Sequence, residues 1–330
     1  MFDALVTWSL RNRLVVLALS AVLVGVGLWS LARLPLDAFP DTTPVQVQIN
    51  TNAPALNPTE IEQQITIPVE QVLGGLPGLD DVRSVSKFGL SQIVATFEDG
   101  TDIYFARQLI NERLGSATLP DGVPAPSLGP VATGLGEVLH YIVTGKDKTL
   151  EELTTVHDWV LRPQLLNVKG VAEINTWGGR KRQYHVVVDP HKLLGFELSL
   201  DEIVEALQRG NQNVGGGVIV SAGEQSLVHG QGLAKDEAEL AGIFVAEYDG
   251  VPVHIGDVAR VVVDHQIRRG AATANGEGEV VLGLGFMLLG ENSYDVTTRL
   301  RDRLEEARAS LPEGVDVRVL YDRTELVDHV

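Results

Sequence analysis

The run Leu14 to Leu31, LVVLALSAVLVGVGLWSL, holds eighteen residues without a charge, and nothing else in the chain constrains the fold as tightly. Carried on to Leu34, a helix of this length rises about 30 Å, the thickness of one bilayer core. The residues behind it are polar-patterned and read as folded protein in water. Arg11 and Arg13 precede the run, while Asp37 and Asp41 follow it. Basic residues resist translocation, so the N-terminus is expected in the cytoplasm and the bulk of the chain outside. Arg33 lies on the far flank, where its long stem can snorkel to the interface. Phe2, Leu5, Val6, Trp8 and Leu10 predict a short helix lying in the membrane surface. Ser30-Leu31-Ala32 offers a small-x-small cleavage pattern. The apolar run is longer than the roughly 7–15 residues of a signal peptide, so a retained span is expected.

Composition excludes several classes. The net charge is −18, which argues against a nucleic-acid partner and an anionic substrate, and is compatible with cationic cargo. There are no cysteines, hence no disulfide and no thiolate metal site. Met1 and Met287 are the only methionines, so the chain holds no methionine-rich soft-metal site. Its 330 residues suffice for one span plus two or three small domains.

Past Pro44 one pattern occurs twice. Val45, Val47 and Ile49 alternate with Gln46 and Gln48, the period of a strand. Asn57, Pro58 and Glu60 announce a capped helix, with Ile61, Ile65, Val69 and Val72 as its apolar stripe. Gly74-Gly75 ends it. A strand opens at Gly78-Leu79-Asp80-Asp81-Val82 and closes at Phe88-Gly89, a second runs from Ser91 to Phe97, and a helix spans about Ile103 to Leu114. The pattern returns with a strand from Val138 to Val143 and a helix capped by Thr149 and Glu152, striped by Leu153, Val156, Val160 and Leu161. Gly170-Val171-Ala172-Glu173-Ile174 then leads to Trp177-Gly178, matching the earlier strand in residue type. The rest of this second unit comes later: a strand from Val280 to Leu288, a helix from Tyr294 to Leu311 and a strand from Val315 to Tyr321. The predicted fold class is therefore α+β, one transmembrane helix followed by two split β-α-β units, the second interrupted by an α+β insertion. The insertion carries a strand from Tyr184 to Asp189, a helix capped by Ser199 and Glu202, and the glycine-rich Val214-Gly215-Gly216-Gly217-Val218-Ile219-Val220-Ser221-Ala222-Gly223. That stretch reads either as a protruding hairpin arm or as a flexible loop.

The residues then resemble a known family. Phe39-Pro40-Asp41-Thr42-Thr43-Pro44-Val45-Gln46-Val47 is similar to the start of a resistance-nodulation-division (RND) inner-membrane pump. Val82-Arg83-Ser84-Val85-Ser86-Lys87-Phe88-Gly89-Leu90-Ser91 and Phe97-Glu98-Asp99-Gly100-Thr101-Asp102-Ile103-Tyr104 resemble its heavy-metal efflux branch. So do Ala106-Arg107-Gln108-Leu109, Thr133-Gly134-Leu135-Gly136-Glu137 and Tyr321-Asp322-Arg323-Thr324-Glu325-Leu326. The likeness is collinear along the whole chain. It implies a homotrimeric, proton-driven exporter in the bacterial inner membrane, joined to a periplasmic adaptor and an outer-membrane channel. The split units would be ferredoxin-like porter subdomains and the insertion a docking subdomain, with Val214 to Gly223 as a trimer-contact arm. Implied boundaries are an interfacial segment at 1–13, the span at 14–34, a first porter subdomain at 35–132 and a second at 133–179 and 271–322. The docking subdomain would fill 180–270, and 323–330 would begin a helix toward a further span. Family members are about three times as long, so the resemblance implies a truncated chain, with the proton-carrying acidic residues in spans beyond it. The implied cargo is a transition-metal cation, and no cofactor is expected.

Within the span no side chain is ionisable, which leaves it anchoring and helix packing, with Gly25 and Gly27 allowing close approach. The eight histidines, among them His140, His157, His185 and His191, form no H-x-x-x-H pair. A lone histidine is more often a surface or satisfied core residue than a ligand. Glu137, after the glycine hinge Gly134-Leu135-Gly136, is the metal-contact candidate, its alternative being a solvated turn residue. Asp80, Asp81, Glu151 and Glu152 read as turn and helix-end residues. Gly145-Lys146 lacks the upstream glycine of a P-loop, and no G-x-S-x-G occurs. No enzyme is expected. Two other functions fit parts of the pattern: an anchored scaffold or binding module, and an exporter of hydrophobic drugs. The low aromatic content, 5%, weighs against the second.

Overall fold

The apolar run is helical. The computed structural model describes residues 2–31, 43–221, 224–268, 270–276 and 278–328. Its first helices, α1 (Phe2–Arg11) and α2 (Arg13–Leu31), meet at Asn12, whose side-chain amide donates to the Trp8 carbonyl at 3.0 Å. Among the described residues, α2 is the one helix long and apolar enough to cross a membrane, and none of it is buried against the rest of the protein. The end of the expected span at Leu34 and the flanking Arg33, Asp37 and Asp41 lie outside the described residues.

Next come β1 (Gln46–Asn52), α3 (Pro58–Ile61), a π-helical turn at Glu62–Thr66, α4 (Ile67–Leu73), β2 (Leu79–Lys87), β3 (Leu90–Phe97), α5 (Ile103–Leu114) and the short β4 (Ser127–Leu128). The four strands form an antiparallel sheet in the order β2-β3-β1-β4. Alternation puts Val47 and Ile49 of β1, and Ile93, Ala95 and Phe97 of β3, on one face. Ala106, Ile110 and Leu114, spaced four apart on α5, pack there with Val69 and Leu73 of α4. The cap forms as the spacing predicts: Glu60 N–H donates to Asn57 Oδ1 at 3.0 Å, and Asn57 N–H donates to Glu60 Oε2 at 2.9 Å.

The second unit opens with β5 (Glu137–Gly145), α6 (Leu150–Val156), a π-helical turn at His157–Leu161, α7 (Arg162–Leu166) and β6 (Val171–Gly178). An intervening region follows: β7 (Arg182–Val188), α8 (Pro190–Gly195), α9 (Leu200–Gly210), β8 (Val214–Ser221), β9 (Glu224–Gly230), α10 (Glu237–Ala241), β10 (Phe244–Tyr248), β11 (Val251–His254), α11 (Ile255–Val258) and β12 (Ala259–His265). The chain then returns through β13 (Ala272–Thr273), β14 (Glu279–Met287), α12 (Ser293–Ala307), β15 (Val315–Asp322) and α13 (Arg323–Asp328). β14 inserts between β6 and β5, and β15 flanks β5 on its other side. Apart from the two-residue β13, which pairs with the start of β14, the order β6-β14-β5-β15 repeats that of the first sheet: second, third, first, fourth strand of the unit. The intervening region has its own apolar core, built on Ile203, Val253, Ile255 and Val258, which shares no residue with the core of the second unit.

A further correspondence escapes the sequence pattern. Ile67 N–H bonds to the Glu62 carbonyl and Arg162 N–H to the His157 carbonyl, each five residues back. A proline follows at once in both helices, Pro68 and Pro163. Proline lacks an N–H, and its ring presses on the carbonyl four residues back. A widened turn accommodates it. The added residue also shifts the buried stripes. In the first unit Leu73, not Val72, completes the stripe. In the second the stripe runs Leu153, His157, Leu161, Leu165, so the expected Val156 and Val160 are only partly buried and a histidine occupies the core.

Candidate functional site

Glu137 begins β5, directly after a 3₁₀ turn over Gly134–Gly136. Its Oε1 lies 2.5 Å from His140 Nε2, both side chains being half-buried. That nitrogen has no aligned hydrogen-bond partner, so the two groups touch without a directed bond. A strand would put residues three apart on opposite faces. Here the pairing shifts between Gly285 and Phe286: Phe286 faces Glu137, Gly285 faces Leu139, and Val138 is the extra residue. This β-bulge re-aims Glu137 onto the face that carries His140. On the other side of β14, Phe286 faces Glu173 of β6. Directly paired residues share a face, so Glu137, Phe286 and Glu173 form a row across three strands. Asn175 Nδ2 donates to Glu173 Oε2 at 3.4 Å.

Two motifs converge on this corner. His140 packs on Tyr321 with ring centroids 4.8 Å apart. The next residue, Asp322, is buried and accepts from Arg301 Nη1 at 3.1 Å and from Thr324 N–H at 2.8 Å. Buried Arg323 donates to the Leu135 carbonyl and so holds the glycine turn ahead of Glu137. Thr133–Glu137 and Tyr321–Thr324, nearly two hundred residues apart in sequence, thus build one structure. His140 is the partner that sequence reasoning missed. No local signal reveals it, because the bulge is set by pairing with β14. Among the described residues, no three His, Asp or Glu side chains are grouped to hold a metal ion. The corner offers a carboxylate and an imidazole side by side, two donors suited to a borderline cation such as zinc.

The other expected residues fall as follows. Val214 to Ser221 form one strand of a hairpin with β9, paired from Val214↔Gly230 to Ser221↔Glu224. Val214, Val218, Ile219 and Val220, with Leu227 opposite, are exposed. Ala222 and Gly223 lie outside the described residues. Glu152 closes the cap of α6 with Thr149, and Glu151 pairs with Arg180 at 3.3 Å. His157 is fully buried. The Thr176 hydroxyl donates to Asp158 Oδ1 at 2.9 Å, His157 Nδ1 lies 3.1 Å from Thr176 Oγ1 and 3.2 Å from Asp158 Oδ1, and Nε2 lies 2.9 Å from the Tyr141 hydroxyl. With Thr176 donating to Asp158, Nδ1 carries the proton and Nε2 accepts from Tyr141. This is a satisfied core histidine. Burial pushes the Tyr141 phenol up. Burial also works to raise Asp158, but hydrogen bonds from His157 and Thr176 outweigh it and hold the carboxyl below its ordinary value.

The model of the AcrB/AcrD/AcrF family matches residues 5–330. The chain is 47% identical to protein HelA of Legionella pneumophila and 44% identical to the cobalt-zinc-cadmium resistance protein CzcA of Cupriavidus metallidurans. It is 38% identical to the cation efflux system protein CusA of Escherichia coli K12. Each match covers 99% of this chain and 32% of the relative. A crystal structure of a heavy metal efflux pump superposes with a TM-score of 0.89 at 32% identity, over 98% of this chain and 33% of the pump. The chain spans about a third of the length of these relatives.

Proposed function

The chain belongs to the AcrB/AcrD/AcrF family of RND efflux proteins, and on that premise we propose that it is the N-terminal portion of a heavy-metal cation efflux pump. The observation that carries the reading is the Glu137–His140 pair, in a chain similar along its length to cation-efflux proteins. In this reading the cargo is a divalent or monovalent transition-metal cation. It meets a carboxylate and an imidazole on the open sheet face, while further ligands come from elsewhere in the pump. Export is driven by protons, and the trimer works with an adaptor and an outer-membrane channel.

The architecture supports the same reading. Two units with matching strand order serve as ferredoxin-like porter subdomains, at 35–132 and at 133–179 with 271–322. The region 180–270 serves as the docking subdomain. α2 anchors the protein in the inner membrane, with N-terminus inside and folded bulk in the periplasm. The exposed β8–β9 hairpin is the arm that reaches a neighbouring protomer, since apolar side chains in such a row need cover.

Expression of the complete gene in a metal-sensitive strain tests the cargo, scored as growth on zinc, cobalt, cadmium and copper. Glu137→Gln is expected to reduce tolerance to the transported ion about tenfold, the scale on which disturbing the groups of a metal site weakens it, with protein level unchanged. Full tolerance in Glu137→Gln, or protection against dyes and detergents only, rejects the metal site. Ile219→Pro is expected to weaken crosslinked trimer, because proline removes a ladder hydrogen bond and the hairpin loses its register. Unchanged trimer would refute the arm.

A further inference from the structure

Two of the four tryptophans, Trp159 and Trp177, belong to the folded body rather than to the N-terminal helices. Neither is buried: Trp159 is 80% and Trp177 61% exposed. Trp159 stands on the π-helical turn and Trp177 near the end of β6. Trp177 lines a cleft of about 570 Å³ and Trp159 one of about 310 Å³, and the two clefts meet at Asp158 and Lys181. This joined groove is cationic, although the chain as a whole carries −18. Lys181 and Arg268 line the first cleft, and Lys181 and Arg182 the second. Arg268 is paired with Glu279 at 2.8 Å. Among the described residues, neither Lys181 nor Arg182 pairs with a carboxylate. Exposed indole rings beside lysine and arginine have the composition of a binding hot spot.

A second exposed patch has the opposite charge. α9 buries Ile203 and Ala206 in the core of the intervening region. Leu200 and Val204, four apart on the same helix, are exposed nonetheless. Asp201 and Glu205 form the stripe beside them and are exposed too. Apolar side chains can meet the indole rings while the carboxylates meet Lys181 and Arg182. Within one chain both patches are exposed, so neither covers the other.

We propose that α9 of one copy docks in the Trp159–Trp177 groove of the next. The contact joins two different patches and is therefore heterologous. Each copy offers α9 to one neighbour and its groove to the other, and repetition about a threefold axis closes a ring. The proposal rests on the trimer of the pump reading and adds to it a protomer contact distinct from the β8–β9 arm. Charge selects the pairing, since groove against groove or α9 against α9 sets like charges together.

The test uses the product of the complete gene in its own membranes, with a photoreactive benzophenone amino acid in place of Val204. Illumination is expected to join protomer to protomer, with Trp159 or Trp177 in the crosslinked peptide identified by mass spectrometry. Lys181→Glu with Arg182→Glu should lower the yield about tenfold, and adding Asp201→Lys with Glu205→Lys should restore most of it, because the swapped charges again attract. A crosslink to another protein, to a distant segment of the same chain or to a surface without these tryptophans overturns the proposal. So does an absent crosslink, or a yield that charge reversal leaves unchanged. If the trimer still crosslinks through the β8–β9 arm in that case, the pump reading stands and this contact alone falls. A protein that is monomeric by both crosslinks removes the trimer as well.

Discussion

A Gly283→Ala chain is expected to lose about 3 kcal/mol of stability, near the upper end of what overpacking costs. Gly283 sits mid-strand in β14, opposite Tyr141 of β5 and Thr176 of β6. The ring of Tyr141 occupies the space a side chain would need: a Cβ there would lie 2.5 Å from its Cε2 and 2.6 Å from its hydroxyl. The ring cannot step aside, because it is fully buried and its hydroxyl is bonded to His157. Thermal melting of the chain in detergent, followed by circular dichroism, reads the loss. The mechanism makes a second demand. In a Tyr141→Leu background the clash is gone, so adding Gly283→Ala should cost much less than it does alone. Two costs that simply add would reject the ring clash as the cause.

His157→Leu is expected to destabilise by about 2–4 kcal/mol, although leucine suits the stripe of its neighbours Leu153, Leu161 and Leu165. The cost comes from what is left behind. The fully buried Tyr141 hydroxyl loses its acceptor, and Asp158 loses one of the two hydrogen bonds that keep it ionised. Replacing both partners removes the orphan, so His157→Leu with Tyr141→Phe should recover most of the stability. A double variant as unstable as His157→Leu would show that the hydroxyl is not the source. The pH dependence has a definite sign. A carboxyl held below its ordinary value in the folded state contributes stability that is complete above the unfolded pKa, near 3.9, and is lost as pH falls through the folded one. His157→Leu weakens that contribution, so its melting temperature should fall less steeply below about pH 4 than that of the unaltered chain. Parallel acid limbs would contradict the link between His157 and Asp158.

Both residues show where one-dimensional patterns stop. Val156 and Val160 look like core because the eye counts a regular helix. His157, four residues after Leu153, turns inward instead, and the wide turn before Pro163 keeps Leu161 and Leu165 on the same face. Glu137 stands out as a carboxylate after a glycine turn, yet its partner His140 is three residues on, the wrong parity for a strand. Only the bulge opposite Phe286 brings the two together. Gly283 reads as an ordinary strand glycine until Tyr141 is placed above it.

Local chemistry alone determined the uncharged membrane-length helix, the caps at Asn57, Thr149 and Ser199, the twice-used strand and helix pattern, and the collinear family motifs. These features depend on near neighbours in the chain, so their periods and spacings carry the information. Tertiary structure decided which side chains meet: Glu137 with His140, His157 with Tyr141, and Arg323 with the turn at Leu135. Those contacts depend on the register between strands distant in sequence, on one bulge and on two proline-widened turns. A one-residue change in any of these moves a side chain to another face, and that choice is made by the packed sheet as a whole.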